Sequence, residues 1–161
     1  MEKIEEDYKR IEEIINEMIP VKWDKVWMYA EIIDDSSEVN FYFCNPGNEE
    51  LIYGHDISEM YSVSNSIYKE LLLKLLHSFE DLKKKYVNSG FEEWSTAILK
   101  MEQQGKFSIE YGYENIYSIG INGDQRIAVW EYETFGFLPD DEEDKEAVLN
   151  YIKNKEEKNN S

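Results

Sequence analysis

The sequence predicts an α+β fold, a single domain over residues 1–161. Its sheet is largely antiparallel, has about five to six strands, and packs with N-terminal, central and C-terminal helices. Three observations predict it. Apolar residues recur at helical spacing near the start, in the middle and near the end of the chain. The segments between alternate with a period of two. Those segments come in runs joined by tight turns, which favours antiparallel pairing with helices covering part of the sheet. No repeat or long linker divides the chain, and 161 residues suit one core.

The first helix is predicted over residues 3–18. Ile4, Tyr8, Ile11, Ile15 and Met18 share one face, the run of Glu5, Glu6, Glu12 and Glu13 lies mostly elsewhere, and Pro20 stops it. The stripe either pairs helices between subunits or packs on the chain's own sheet. The second use is expected, because the repeat is short for a coiled coil.

Strands are predicted at 23–33 and 38–44. Val26, Met28, Ala30, Val39, Phe41 and Phe43 share one face, opposite Trp27, Tyr29, Glu31, Asn40 and Tyr42. "DDSS" at 34–37 is turn chemistry. "LIY" at 51–53 can add a short strand. The longest helix is predicted over 64–87, with Ser64 as cap and Ile67, Leu71, Leu75, Leu82 and Tyr86 as the core stripe. Lys83, Lys84 and Lys85 fall in its last turn, where cations suit the helix dipole.

Strands follow at 94–102 and 106–113, then an irregular loop at 114–125 and a last strand at 126–133, "RIAVWEYE". The final helix is predicted from Asp140 to about Asn154. Asp140 and Glu143 stand in capping-box relation there, and a polar, frayed end occupies 155–161.

Composition narrows the function. Lys and Arg number 17 against 35 Asp and Glu, a net charge of -18 that repels nucleic acid and anionic lipid and suits a basic protein partner. A single cysteine, Cys44, allows no internal disulfide and points to a reducing cytoplasm. The N-terminal stretch is too charged for a signal peptide, and no apolar run reaches a membrane span.

An active site is not expected. His77 sits beside a helix stripe, His55 adjoins Asp56, and sequence places no partner near Cys44 to activate it. "GINGD" at 120–124 lacks both the Lys-Ser/Thr of a phosphate loop and the ligand rhythm of a calcium loop, and reads as a flexible turn. No catalytic residue, cofactor or metal ligand is assigned.

Binding is the better expectation. Trp27, Tyr29 and Tyr42 form an aromatic face bordered by the acidic tip Asp34–Asp35, in keeping with interfaces that are aromatic at the centre and charged at the rim. Helices covering both sheet faces would remove the aromatics but not the tip. In "LPDDEEDKE", Asp140 and Glu143 serve the helix start. Asp141, Glu142 and Asp144 are then surplus to folding and expected to face the partner.

Several blocks carry a family resemblance: "EIINEMIPVKWDKVWMYAEIIDDSSEVNFYF", "IYGHDI", "GKFSIEYGYENI" and "RIAVWEYETFGFLPDDEEDKE". In this order, from about residue 11 to residue 152, they resemble the YezG-like family of bacterial immunity proteins. The resemblance implies a cytoplasmic antitoxin. It would neutralise the toxic domain, commonly a nuclease, of a type VII-secreted polymorphic toxin, with no catalysis of its own. The alternative is an acidic adaptor for another basic protein. The oligomeric state, monomer or dimer, is left open.

Overall fold

The computed structural model describes residues 2–160. The first helix, α1 (Glu2–Met18), forms on the predicted stripe: Ile4, Ile11, Ile15 and Met18 are buried and Tyr8 is half-buried. It lies against the long helix α3 (Asn65–Asn88), and charge ties the two together. Arg10 pairs with Asp81 at 3.1 Å. Lys85 spans both oxygens of the buried Asp7 carboxylate, at 3.2 Å to Oδ1 and 3.1 Å to Oδ2. Lys83 and Lys85 at the end of α3 therefore have specific partners within the fold, beyond the dipole interaction expected of them. Lys83 Nζ donates to the Ile32 carbonyl at 2.5 Å and sits 5.7 Å above the Trp94 ring.

Strands β1 (Lys25–Ile33) and β2 (Ser36–Cys44) pair from Lys25↔Cys44 to Ile33↔Ser36. The hairpin turn is therefore Asp34–Asp35 alone, tighter than the expected four residues, because Ser36 and Ser37 enter the ladder. A two-residue strand, β3 (Ile52–Tyr53), runs into a 3-10 turn at Gly54–Asp56 and a short helix, α2 (Ile57–Met60). Strands β4 (Thr96–Glu102) and β5 (Phe107–Gly112) complete one open antiparallel sheet of order β3-β2-β1-β4-β5.

The sheet's inner face repeats the predicted alternation. Val26, Met28, Ala30, Val39, Phe41 and Phe43 are buried, joined by Ala97, Leu99 and Met101 from β4. With the stripes of α1 and α3 they form one apolar core. Its energetic weight is large, since each fully buried side chain of this size stabilises by roughly 1.5–3 kcal/mol.

Two details of α3 differ from expectation. Ser64 holds the N-cap position, but its side chain makes no capping bond; its hydroxyl pairs instead with that of Ser66 at 2.9 Å. Ile67 is 54% exposed, and the stripe begins at Tyr68 before continuing through Leu75, Phe79 and Leu82. The Tyr68 hydroxyl donates to the Gly54 carbonyl at 2.9 Å, which fixes the rotation of the first turn and turns Ile67 to the outside.

Residues to Ile116 form one unit of the chain, and residues from Tyr117 onward form a second. The second is helical. The expected strand at 126–133 is helix α4 (Gly123–Phe135). The expected loop at 114–125 contains a 3-10 turn, Ile116–Ser118, and the start of α4. Asn122 caps α4: its side chain accepts from the Gln125 amide at 2.9 Å, while the Gln125 side chain accepts from the Asn122 amide at 3.1 Å. "GINGD" is therefore a helix start, not a free turn. Gly136, at φ 82°, ends α4 in the left-handed region that glycine adopts without strain.

Helix α5 (Glu142–Asn159) packs Val148 against Ala128 and Val129 of α4. It continues through most of the tail expected to fray, because residues 155–159 are all Lys, Glu or Asn with no glycine or proline to stop them. Ser161 lies outside the described residues. Among the described residues no helix is long and apolar enough to cross a membrane.

Candidate partner-binding surface

The hairpin β1–β2 places the predicted aromatic residues in register. Trp27 lies opposite Tyr42 on β2 and Lys100 on β4, and Lys100 Nζ stands 5.8 Å over the Trp27 ring. Tyr42 and Tyr53 lie side by side with ring centroids 5.1 Å apart. Trp27 and Tyr42 are half-buried. Tyr29 is buried, at 6% exposure, and its hydroxyl donates to Glu31 Oε2 at 2.8 Å. Glu31 and Asn40 are also buried, and Tyr53 donates to Asn40 Oδ1 at 2.5 Å. The centre of this face is thus a polar network, and of the predicted aromatics only Trp27 and Tyr42 keep partial access, beside the exposed Ile98 and Lys100. Sequence reasoning missed Tyr53 and Lys100 on this face. The strand order puts them there, and alternation within "ILKME" would have shown Lys100 pointing outward.

Asp34 and Asp35 are exposed at the hairpin tip. They line a groove of about 560 Å³ whose other acids are Glu80 and Glu93 and whose cations are Lys83 and Lys84. Lys83 is already engaged by Ile32, Trp94 and, at 3.6 Å, Glu93. Acidic groups therefore dominate the open part of the groove.

The acidic run of α5 is divided differently from expectation. The N-cap is Asp141, not Asp140: its Oδ2 accepts from the Asp144 amide at 3.0 Å. Asp144 Oδ1 in turn accepts from Gln125 Nε2 at 3.0 Å, which joins α5 to the capping box of α4. Asp140 and Asp144 also line a concavity of about 330 Å³, with Asp124 and Glu131 as further acids and Phe137 and Leu138 as apolar wall. The cap stands one residue later than expected because the helix itself begins at Glu142. Asp141→Ala is expected to cost about 1 kcal/mol through the lost cap, while Asp141→Asn is nearly neutral in stability. Thermal melts of both variants check this; equal losses would show that the charge, not the capping bond, matters.

His55 is a structural residue in this geometry. Its Nε2–H donates to the Val39 carbonyl at 2.9 Å, and Nδ1 lies 2.8 Å from the Tyr68 hydroxyl. Its ring also meets Phe41 and Tyr53 edge to face. Burial raises the Tyr68 phenol far above its ordinary range, so it is a neutral donor. Cys44 is a buried thiol. No cluster among the described residues brings together three groups able to hold a metal ion.

The chain thus comprises an α+β unit with an acid-tipped hairpin, followed by a helical pair with an acidic start. Comparison with known proteins makes the class definite. The model of the family "Immunity protein YezG-like" matches residues 4–149. Immunity protein YezG of Bacillus spizizenii is 46% identical over 151 residues, covering 94% of each chain. Immunity protein YezG of Bacillus subtilis is 41% identical over 145 residues, covering 90% of this chain and 96% of the relative. The type VII secretion system protein EsaG of Staphylococcus aureus is 30% identical over 159 residues, covering 97% and 98%. The chain belongs to the YezG-like family of immunity proteins.

Proposed function

We propose that this chain is an antitoxin that binds the nuclease domain of a cognate secreted toxin in the cytoplasm and neutralises it through an acidic surface. Membership in an immunity-protein family over nearly the whole chain, joined to a net charge of -18, is the observation that carries the reading. A nuclease must present Lys and Arg to its phosphate substrate, and an acidic protein competes for the same field. The proposed contact residues are Asp34 and Asp35 at the hairpin tip, Trp27 and Tyr42 toward the other end of the same hairpin, and Asp141, Glu142 and Asp144 at the start of α5. Buried Tyr29 would hold the aromatic face rather than touch the partner. Each acid-lined concavity suits a Lys or Arg side chain, with apolar wall for its stem and carboxylates for its head.

The protein acts by binding, without catalysis or cofactor. The placement of His55 supports this, since its Nε2–H is held by the Val39 carbonyl and its ring packs edge-on against Phe41, Tyr53 and Tyr68. Co-expression with the toxin domain encoded beside this gene tests the proposal. Survival of the host and a one-to-one complex on sizing are expected. A complex with a toxin domain that is not a nuclease would overturn the nuclease assignment, and no protection would overturn the antitoxin reading.

A further inference from the structure

The two edges of the sheet differ. At one, β3 has two residues and passes at once into a 3-10 turn. At the other, β5 runs from Phe107 to Gly112 with no proline. Glu110 is the one charged residue within the strand, and Lys106 stands just before it.

Hydrogen-bond parity shows which groups this edge presents. The Ile32 amide donates to the Ser95 carbonyl at 2.9 Å, and the Glu102 amide donates to the Lys106 carbonyl at 2.9 Å. Bonded pairs alternate along antiparallel ladders. Residues 97, 99 and 101 of β4 therefore bond toward β1, and residues 96, 98 and 100 bond toward β5. On β5 the residues turned inward are Ser108, Glu110 and Gly112, their register partners. The N–H and C=O groups of Phe107, Ile109 and Tyr111 point away from the sheet. Among the described residues no backbone bond from a turn, loop or cap reaches them. Such a row of alternating donors and acceptors is the template for an added strand.

The surroundings select what kind of strand. The Phe107 ring meets Tyr8 at 5.2 Å, and the Tyr111 ring meets Tyr86 at 4.8 Å. Tyr86 stacks on Phe91 at 4.7 Å, and Phe91 and Tyr113 are 42% and 43% exposed. These rings make an aromatic shelf along the helix side of the edge, a surface on which guanidinium groups stack well. Carboxylates border it. Glu92 is exposed and close enough to act on the Tyr113 phenol, and Glu110 is exposed on the opposite face of the edge strand. Glu5 and Glu12 stand three before and four after Tyr8, hence on its side of α1. A second copy of this chain would bring these carboxylates against their own likeness. A basic strand would neutralise them.

We propose that the free edge of β5 receives an extended, basic strand of the toxin, which joins the sheet through the outward groups of Phe107, Ile109 and Tyr111. This rests on the antitoxin reading and assigns it a mode of attachment.

Amide hydrogen exchange tests it on the full chain, free and with a catalytically inactive form of the neighbouring toxin domain. In the free chain Ser108 and Glu110 are expected to exchange slowly and Phe107, Ile109 and Tyr111 quickly. The complex is expected to slow those three about tenfold or more. Ile109→Pro removes one outward N–H and leaves the bonds to β4 in place, while Ile109→Ala controls for the lost side chain. The proline variant is expected to bind about tenfold more weakly than the alanine variant. If it does not fold, the exchange measurement on the unaltered chain decides. A complex that leaves the three amides fast overturns the edge and leaves the antitoxin reading intact. Protection that grows with concentration of the free chain assigns the edge to a second copy instead. No complex at all sinks both.

Discussion

Replacing Trp94 with alanine is expected to destabilise the protein by about 3–5 kcal/mol, the range for removing a large buried aromatic. Trp94 is fully buried between α3 and the sheet. Its ring lies 5.1 Å from that of Tyr111 and carries Lys83 above its other contacts, so alanine leaves a cavity that neither strand nor helix can fill. Against a typical total of about 5–15 kcal/mol, this is a large fraction, and the melting temperature should fall by roughly 10 °C. The indole N–H of Trp94 is buried and has no hydrogen-bond partner among the described residues. Trp94→Phe therefore gives up no such bond and should cost about 1–2 kcal/mol, a much smaller loss. Urea unfolding with an unchanged slope checks both values. A loss under about 1 kcal/mol for alanine would show that the ring is not part of the core.

The association rate with the toxin is expected to fall by at least about tenfold between 50 mM and 500 mM salt, with little change in the dissociation rate. A net charge of -18 produces a long-range field, and steering by such fields raises on-rates by roughly 10 to 1,000-fold at low salt. Salt shortens its reach to about 10 Å at 0.1 M and less beyond that. The hairpin tip is a sensitive place to probe it. Asp34 and Asp35 are exposed and flanked by Glu80 and Glu93 along the groove. Changing both to asparagine keeps the turn chemistry. Stability should move by less than about 0.5 kcal/mol, as is usual at the surface. Capture at low salt should slow by roughly two- to fivefold, on the scale of exposed charge pairs, and the difference should vanish at high salt. Stopped-flow mixing at several salt concentrations separates the two rates. An association rate indifferent to salt would remove electrostatic steering from the mechanism.

Loss of the cap in Asp141→Ala and loss of the outward amide in Ile109→Pro test different levels of organisation. The first concerns a helix end, where one carboxylate satisfies one amide. The second concerns pairing beyond the chain. Neither position could be assigned from periodicity. Helix caps depend on where a helix starts to within one residue, and "PDDEED" offers several equivalent acids. Strand edges depend on the order of strands, which no local pattern contains.

Much else was legible. α1 and the β1–β2 hairpin follow from spacing, because each buries one face and the apolar residues recur at the period of that face. The family was legible too, since its blocks are spread in order along the chain. The segment 126–133 was not. Ile127, Val129 and Glu131 alternate with Ala128, Trp130 and Tyr132, and eight residues rich in β-branched and aromatic types suit a strand by propensity. The decisive signal was Asn122 with Gln125, a reciprocal cap just upstream, masked by a reading of "GINGD" as a turn.

By itself, then, the sequence determined the α+β class, the core face of the hairpin, the family and the negative charge, because periodicity, composition and ordered blocks are properties of the chain. Only the tertiary structure decided that 126–133 is helical, that Tyr68 replaces Ile67 in the core, that Asp141 is the cap, and that β5 is an open edge. Each of these depends on which distant groups meet: Val148 with Ala128 and Val129, Gly54 with Tyr68, Gln125 with Asp144, and β4 with only one side of β5. Local preferences at these places are balanced within about 1 kcal/mol per residue, and a single long-range contact is enough to tip them.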